Sequence, residues 1–106
     1  MRGFLAQIIA DRRLDILRLL VQADGSSNSL SLETGLRARG YEGRALPFGC
    51  VDEDCDVLAR HGLVILERLD GPFGDVLAVK LGKLGVAYLQ RRIPAVEDVS
   101  YPELGI

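Results

Sequence analysis

The chain has 106 residues, room for one domain and too little for two ordinary ones. Hydrophobic residues at 48% against 26% charged exclude a largely disordered polymer, and 13 basic against 15 acidic side chains exclude a polycation that holds nucleic acid by bulk charge. The longest apolar runs, such as Leu19-Leu20-Val21, fall far short of the roughly 20 residues a membrane span needs. The apolar start of the chain is cut by Gln7 and stopped at Asp11-Arg12-Arg13, with no small-residue cleavage site. A soluble, cytoplasmic protein without membrane contact is expected.

Residues 3–23 come first. Leu5, Ile9, Ile16, Leu17 and Leu20 recur at spacings of four and seven, which predicts an amphipathic helix. Ile8, Leu14 and Leu19 widen its apolar arc, so burial on more than one side is expected, as one helix or as two with a break near Asp11. Asp24-Gly25 supplies a stop, because glycine takes the left-handed conformation cheaply. Ser26-Ser27-Asn28-Ser29 reads as a loop in which Asn28 or Ser29 caps the next helix. That second helix covers residues 30–39 with Leu32 and Leu36 inward, and Gly40 ends it ahead of a turn over 41–44. Leu46-Pro47 opens a third helix, since proline suits a first turn. Its inward face is Val51, Cys55 and Leu58, and His61-Gly62 closes it.

After Gly62 the period changes. Residues 63–69 and 76–81 read as strands, joined by the turn-rich hexamer Asp70-Gly71-Pro72-Phe73-Gly74-Asp75, and together predict a β-hairpin with a protruding tip. A last helix over 83–92 is expected to turn Val86 and Leu89 inward, and Pro94 blocks its continuation. Residues 1–93 thus form the domain. Residues 94–106 form an acidic, proline-containing tail, expected to be extended or mobile unless it docks on a partner.

The order of three helices, hairpin and helix resembles a winged helix-turn-helix, an α+β fold with a β-hairpin wing and a C-terminal helix. Asp56-Val57-Leu58-Ala59-Arg60-His61-Gly62-Leu63-Val64 resembles the junction between third helix and wing in such domains. Asp11-Arg12-Arg13-Leu14-Asp15-Ile16-Leu17-Arg18-Leu19-Leu20 resembles the first helix of bacterial arsenic-repressor-type regulators. With Gly82-x-x-Gly85 and Ile93-Pro94, residues 8–95 look like a small winged-helix protein of Mu-like phages and prophages. The resemblance implies a DNA-associated, regulator-like role, and a homodimer.

The charges pull against that role. Residues 49–61 carry Asp52, Glu53, Asp54 and Asp56 against Arg60 alone, and the hairpin tip adds Asp70 and Asp75. A reading helix and a wing would have to lie against about one phosphate charge per 1.7 Å of duplex. A purely local role for Asp52 and Glu53 also exists, since carboxylates suit a first helical turn. Basic residues lie elsewhere: Arg12, Arg13 and Arg18 on the first helix, Lys83, Arg91 and Arg92 around the last. The candidate DNA contacts are Arg37, Arg39 and Arg44, clustered after the second helix, together with Arg60. The alternative is a protein-interaction module for a phage or host protein, using Asp52, Glu53 and Asp56 with Phe73 at the tip as an aromatic anchor, unless Phe73 folds back on helix three. Leu5, Ile8, Val86 and Leu89 are the candidate dimer seam between the first and last helices.

No metal, cofactor or enzymatic site is expected. Cys50 and Cys55 lie about 140° apart around a helix, too divergent for a disulfide. Cys50, Asp54 and His61 share a helical side, but Cys50 and His61 are about 16 Å apart along the axis, beyond one ion's reach. Cys55 belongs to the inward stripe, and Gly82-x-x-Gly85 lacks the lysine and hydroxyl ending of a phosphate loop. His61, alone of its kind, pairs with no nucleophile in the sequence and more simply finishes its helix.

Overall fold

A computed structural model describes residues 3–41, 50–72 and 74–103, with Cys50 described by its backbone only. Its elements are α1 (Phe4–Gln22), β1 (Ser26–Asn28), α2 (Ser29–Ala38), α3 (Cys50–Arg60), β2 (Val64–Gly71), β3 (Gly74–Leu81) and α4 (Lys83–Leu89). The strands form one antiparallel sheet in the order β1-β3-β2. No described helix is long and apolar enough to cross a membrane.

The first segment is one uninterrupted helix of 19 residues, without a break at Asp11. It buries Ala10, Leu14, Ile16, Leu17 and Leu20, but also Arg12 and Arg13. Leu5, one of the periodic apolar positions and a candidate for the dimer seam, is exposed. Asp24 and Gly25 both take left-handed conformations, and the Gly25 N–H returns to the Leu20 carbonyl at 2.7 Å, which ends α1 as the Asp-Gly pair predicted. The serine-rich loop expected next is in part a strand. Ser26, Ser27 and Asn28 pair with Lys80, Val79 and Ala78. Three polar residues carry no strand signal of their own; here the free edge of β3 offers them a ladder. Asn28 then caps α2, its side chain accepting from the Ser31 N–H at 2.9 Å.

Leu32 and Leu36 of α2, and Val51, Cys55 and Leu58 of α3, are buried as their spacing predicts. The proposed start of helix three at Leu46-Pro47 lies outside the described residues. In the hairpin, β2 and β3 pair from Val64↔Leu81 to Gly71↔Gly74, so strand reaches well into the hexamer expected to be loop. Val64, Leu77 and Val79 face the core. Ile65 and Leu69 lie exposed on the sheet's other face.

Two corrections concern the C-terminal third. Helix α4 stops at Leu89, and Arg91 takes a left-handed φ of 58°, so the helix ends before Pro94 can block it. Its buried residues are Gly85 and Tyr88, while Val86 is exposed; Leu89, half-buried, packs against the core as expected. The reason is steric: a Cβ at Gly85 would run into the Leu63 carbonyl, so only glycine lets this face of α4 approach β2. Nor does the tail stand off from the domain through residue 103. Val99 is 2% exposed, Pro102 is buried, and the Ser100 N–H donates to the Ala10 carbonyl of α1 at 3.1 Å. The Tyr88 hydroxyl donates to the Val99 carbonyl at 2.9 Å. Tyr101 sets its ring edge-on to Tyr88, 5.2 Å between centroids, beneath the Arg91 guanidinium.

Candidate functional site

Helix α3 is the element on which the candidate contacts concentrate, and its two sides differ in chemistry. Inward, Asp54 is fully buried and grips α1. Arg12 reaches it with two nitrogens, Nε to Oδ2 at 2.5 Å and Nη2 to Oδ1 at 3.0 Å, while Arg13 adds Nε to Oδ1 at 2.9 Å. Neighbouring residues on a helix point about 100° apart, so both guanidiniums meet one carboxylate only because it sits between them. Burying these ions is costly, and the planar forks of arginine offset the cost through charge-assisted, partly bidentate hydrogen bonds. Among the described residues no buried side-chain nitrogen or oxygen lacks a partner. Beside this clasp the Cys55 thiol is pushed up to about 12, by burial first and then by the negative charges of Asp54, Asp52 and Asp56. It stays protonated and inert at neutral pH.

Outward, Asp52, Glu53 and Asp56 are exposed, and none makes an ion pair among the described residues. Asp52 and Glu53 occupy the first turn of α3, where the helix dipole favours them. Arg60, one turn beyond Asp56, is exposed and shares a shallow depression with Glu53, Asp56 and Ala59. On the wing, Asp70 and Asp75 stand directly opposite each other in the ladder, both exposed. Like charges so placed repel and weaken the pair.

The remaining candidates are distributed as follows. Arg37 bonds Glu33 at 2.9 Å within α2, and Arg39 bonds Asp15 of α1 at 3.1 Å. Asp15 also receives Arg18 and, at 2.7 Å, the Tyr41 hydroxyl, so it gathers α1 and the end of α2 into one surface network. Burial, this hydrogen bond and the charges of Asp15 and Asp11 push the Tyr41 phenol upward. Exposed ion pairs of this kind contribute about 0–1 kcal/mol, so both arginines can exchange partners at little cost. Arg44 and Phe73 lie outside the described residues. Of the four residues of the expected dimer seam, Leu5 and Val86 are exposed and Ile8 and Leu89 half-buried. Val86 and Leu89 line an apolar groove with Val21 and Leu81, whereas Ile8 lies thirteen residues before Val21, about 20 Å away along α1. Asp54 is engaged by Arg12 and Arg13 of α1, and no three His, Cys, Asp or Glu side chains of the described residues are gathered as a metal ion needs.

No protein-family model matches the chain, and neither a curated protein nor a solved structure matches it. The functional reading therefore rests on the geometry.

The residues missed from the sequence are the clasp. A signal for it exists. Asp54 interrupts the stripe Val51, Cys55, Leu58, and Arg12 and Arg13 fill the turn between Ile9 and Ile16-Leu17. A charge at an inward position calls for an opposite charge at another.

Proposed function

We propose that the chain is a winged-helix-like domain that uses the solvent side of α3 to engage a basic segment of a protein, and that duplex DNA is not its ligand. The order α1-β1-α2-α3-β2-β3, with the sheet ordered β1-β3-β2 and the hairpin following the third helix, supports the winged-helix part of this reading. One observation carries the rest. The side of α3 that faces solvent presents Asp52, Glu53 and Asp56 against Arg60 alone. Burial removes Asp54 from that face and leaves it acidic all the same. Laid in a major groove, three unpaired carboxylates would meet phosphate charge with one guanidinium to offset them. Asp70 and Asp75 give the wing the same sign. Toward lysines and arginines the same pattern is attractive, steering encounter and fixing register. On the sequence resemblance such a partner is a phage or host protein.

The test compares two probes by fluorescence anisotropy at low salt: a generic labelled DNA duplex and a labelled lysine- and arginine-rich peptide. Wild-type protein is expected to bind the peptide and to lose at least fivefold in affinity when Asp52→Asn, Glu53→Gln and Asp56→Asn are combined, on the order of 1 kcal/mol. Duplex binding that falls steeply with salt and is lost in Arg37→Ala with Arg39→Ala would overturn the proposal in favour of the DNA-associated, regulator-like role.

A further inference from the structure

The same guanidinium that holds α3 also holds the C-terminal segment. Arg13, 9% exposed, donates Nε to Asp54 of α3 at 2.9 Å and Nη1 to the backbone carbonyl of Asp98 at 3.1 Å. We propose that residues 95–103 are a releasable strap whose docking on α1 and α4 sets how firmly α3 is anchored, with Arg13 as the coupling residue.

The strap is built for docking and for release. It has no helix or strand of its own, so no regular element is broken when it leaves. Its deep contacts are few: Val99 and Pro102 are its buried side chains. Around them run hydrogen bonds at intervals, Ser100 N–H to the Ala10 carbonyl, Ser100 Oγ to Asp11, Val96 N–H to the Tyr88 hydroxyl, the Val99 and Ser100 carbonyls accepting from Tyr88 and the Pro102 carbonyl from Arg91, and the half-buried Tyr101 ring lies against Tyr88 and Arg91. Asp98, whose carbonyl reaches Arg13, holds a left-handed φ of 64°, a conformation disfavoured for a residue with a side chain.

Release has a consequence at α3. With the Asp98 carbonyl gone, one donor edge of a nearly buried guanidinium lacks its acceptor, and the group gains by turning toward water. Turning weakens its second contact, the one to Asp54. By linkage the effect is reciprocal: whatever steadies α3 through Asp54 also favours the docked strap. A ligand that captures residues 95–103 in extended form would thus loosen the helix bearing Asp52, Glu53 and Asp56. The coupling stands whatever α3 binds; only its bearing on ligand affinity rests on the function proposed above.

Backbone hydrogen exchange tests this in the full-length chain without any partner. Val99→Asp is expected to release the strap and speed exchange of the α3 amides by about fivefold or more relative to those of α2, the scale of an ordinary coupling free energy. In an Arg13→Met background the methionine keeps an apolar stem but makes neither bond, and Val99→Asp should then leave the α3-to-α2 ratio unchanged. Equal ratios with and without Arg13 overturn the proposal, as does an α3 that exchanges no faster when the strap is released. Tyr88→Phe is the milder variant, keeping the ring in the core while removing the hydroxyl that the strap carbonyls accept from; it is read by the same ratio where Val99→Asp does not fold. Because no ligand enters this measurement, its failure leaves the α3 binding proposal standing, and absence of peptide binding leaves the coupling standing.

Discussion

Two sides of α3 carry the same functional group with opposite consequences. Asp54, facing α1, has no contact with solvent and three hydrogen bonds from two arginines. Asp52, Glu53 and Asp56 lie in water with no ion pair among the described residues. The comparison shows that the acidic character of a segment is a poor guide until burial divides it. One carboxylate fixes where the helix sits, and the other three define what it presents.

The sharpest way to break this contrast is at its buried end. Asp54→Ala leaves two guanidiniums in a closed site without their shared carboxylate, and a loss of about 3–5 kcal/mol is expected, a large part of a small domain's total stability. Urea denaturation followed by far-ultraviolet circular dichroism measures it; a midpoint within error of wild type would mean that the clasp is not an anchor. A smaller effect is expected at Gly85→Ala, about 1–3 kcal/mol, since the added methyl drives α4 away from the Leu63 carbonyl. A thermal melt reads it, and an unchanged midpoint would show that α4 does not depend on this close approach. The smallest effect belongs to the outer side. Asp56→Asn should stay within about 0.5 kcal/mol of wild type in the same urea titration. A loss approaching that of Asp54→Ala would erase the distinction between the two sides.

Much of the architecture was legible because it is written in large apolar side chains at regular intervals. Leu32 with Leu36, and Val51, Cys55 and Leu58, announce their helices and the faces they bury. The switch to strand after Gly62 is equally plain in residues 63–69 and 76–81. What escaped depends on partners distant in sequence. β1 is three polar residues that become a strand only against β3. The inward face of α4 is Gly85 and Tyr88, neither of which stands out beside Val86 and Leu89 in a hydropathy pattern. Val99 and Pro102 lie in a short segment with no helix or strand period to mark an inward face, yet both are buried. For the candidate site, the exposed acids of α3 were legible as acids, since Val51, Cys55 and Leu58 already claim its inner face. The burial of Arg12, Arg13 and Asp54 left only the faint signal of charges set in apolar stripes, because a charge is placed outward by default and its partner lies more than 40 positions away.

The Arg13 junction also bears on when this protein can finish folding. It joins residue 13 to residues 54 and 98, so that this arginine of α1 waits for a segment 85 residues further along before its contact there closes. A nascent chain halted before residue 98 would hold α1 and α3 with an arginine still seeking its second acceptor. The lock is thus turned only once residue 98 has emerged, and the order of assembly runs from the helical body to the segment that returns to it.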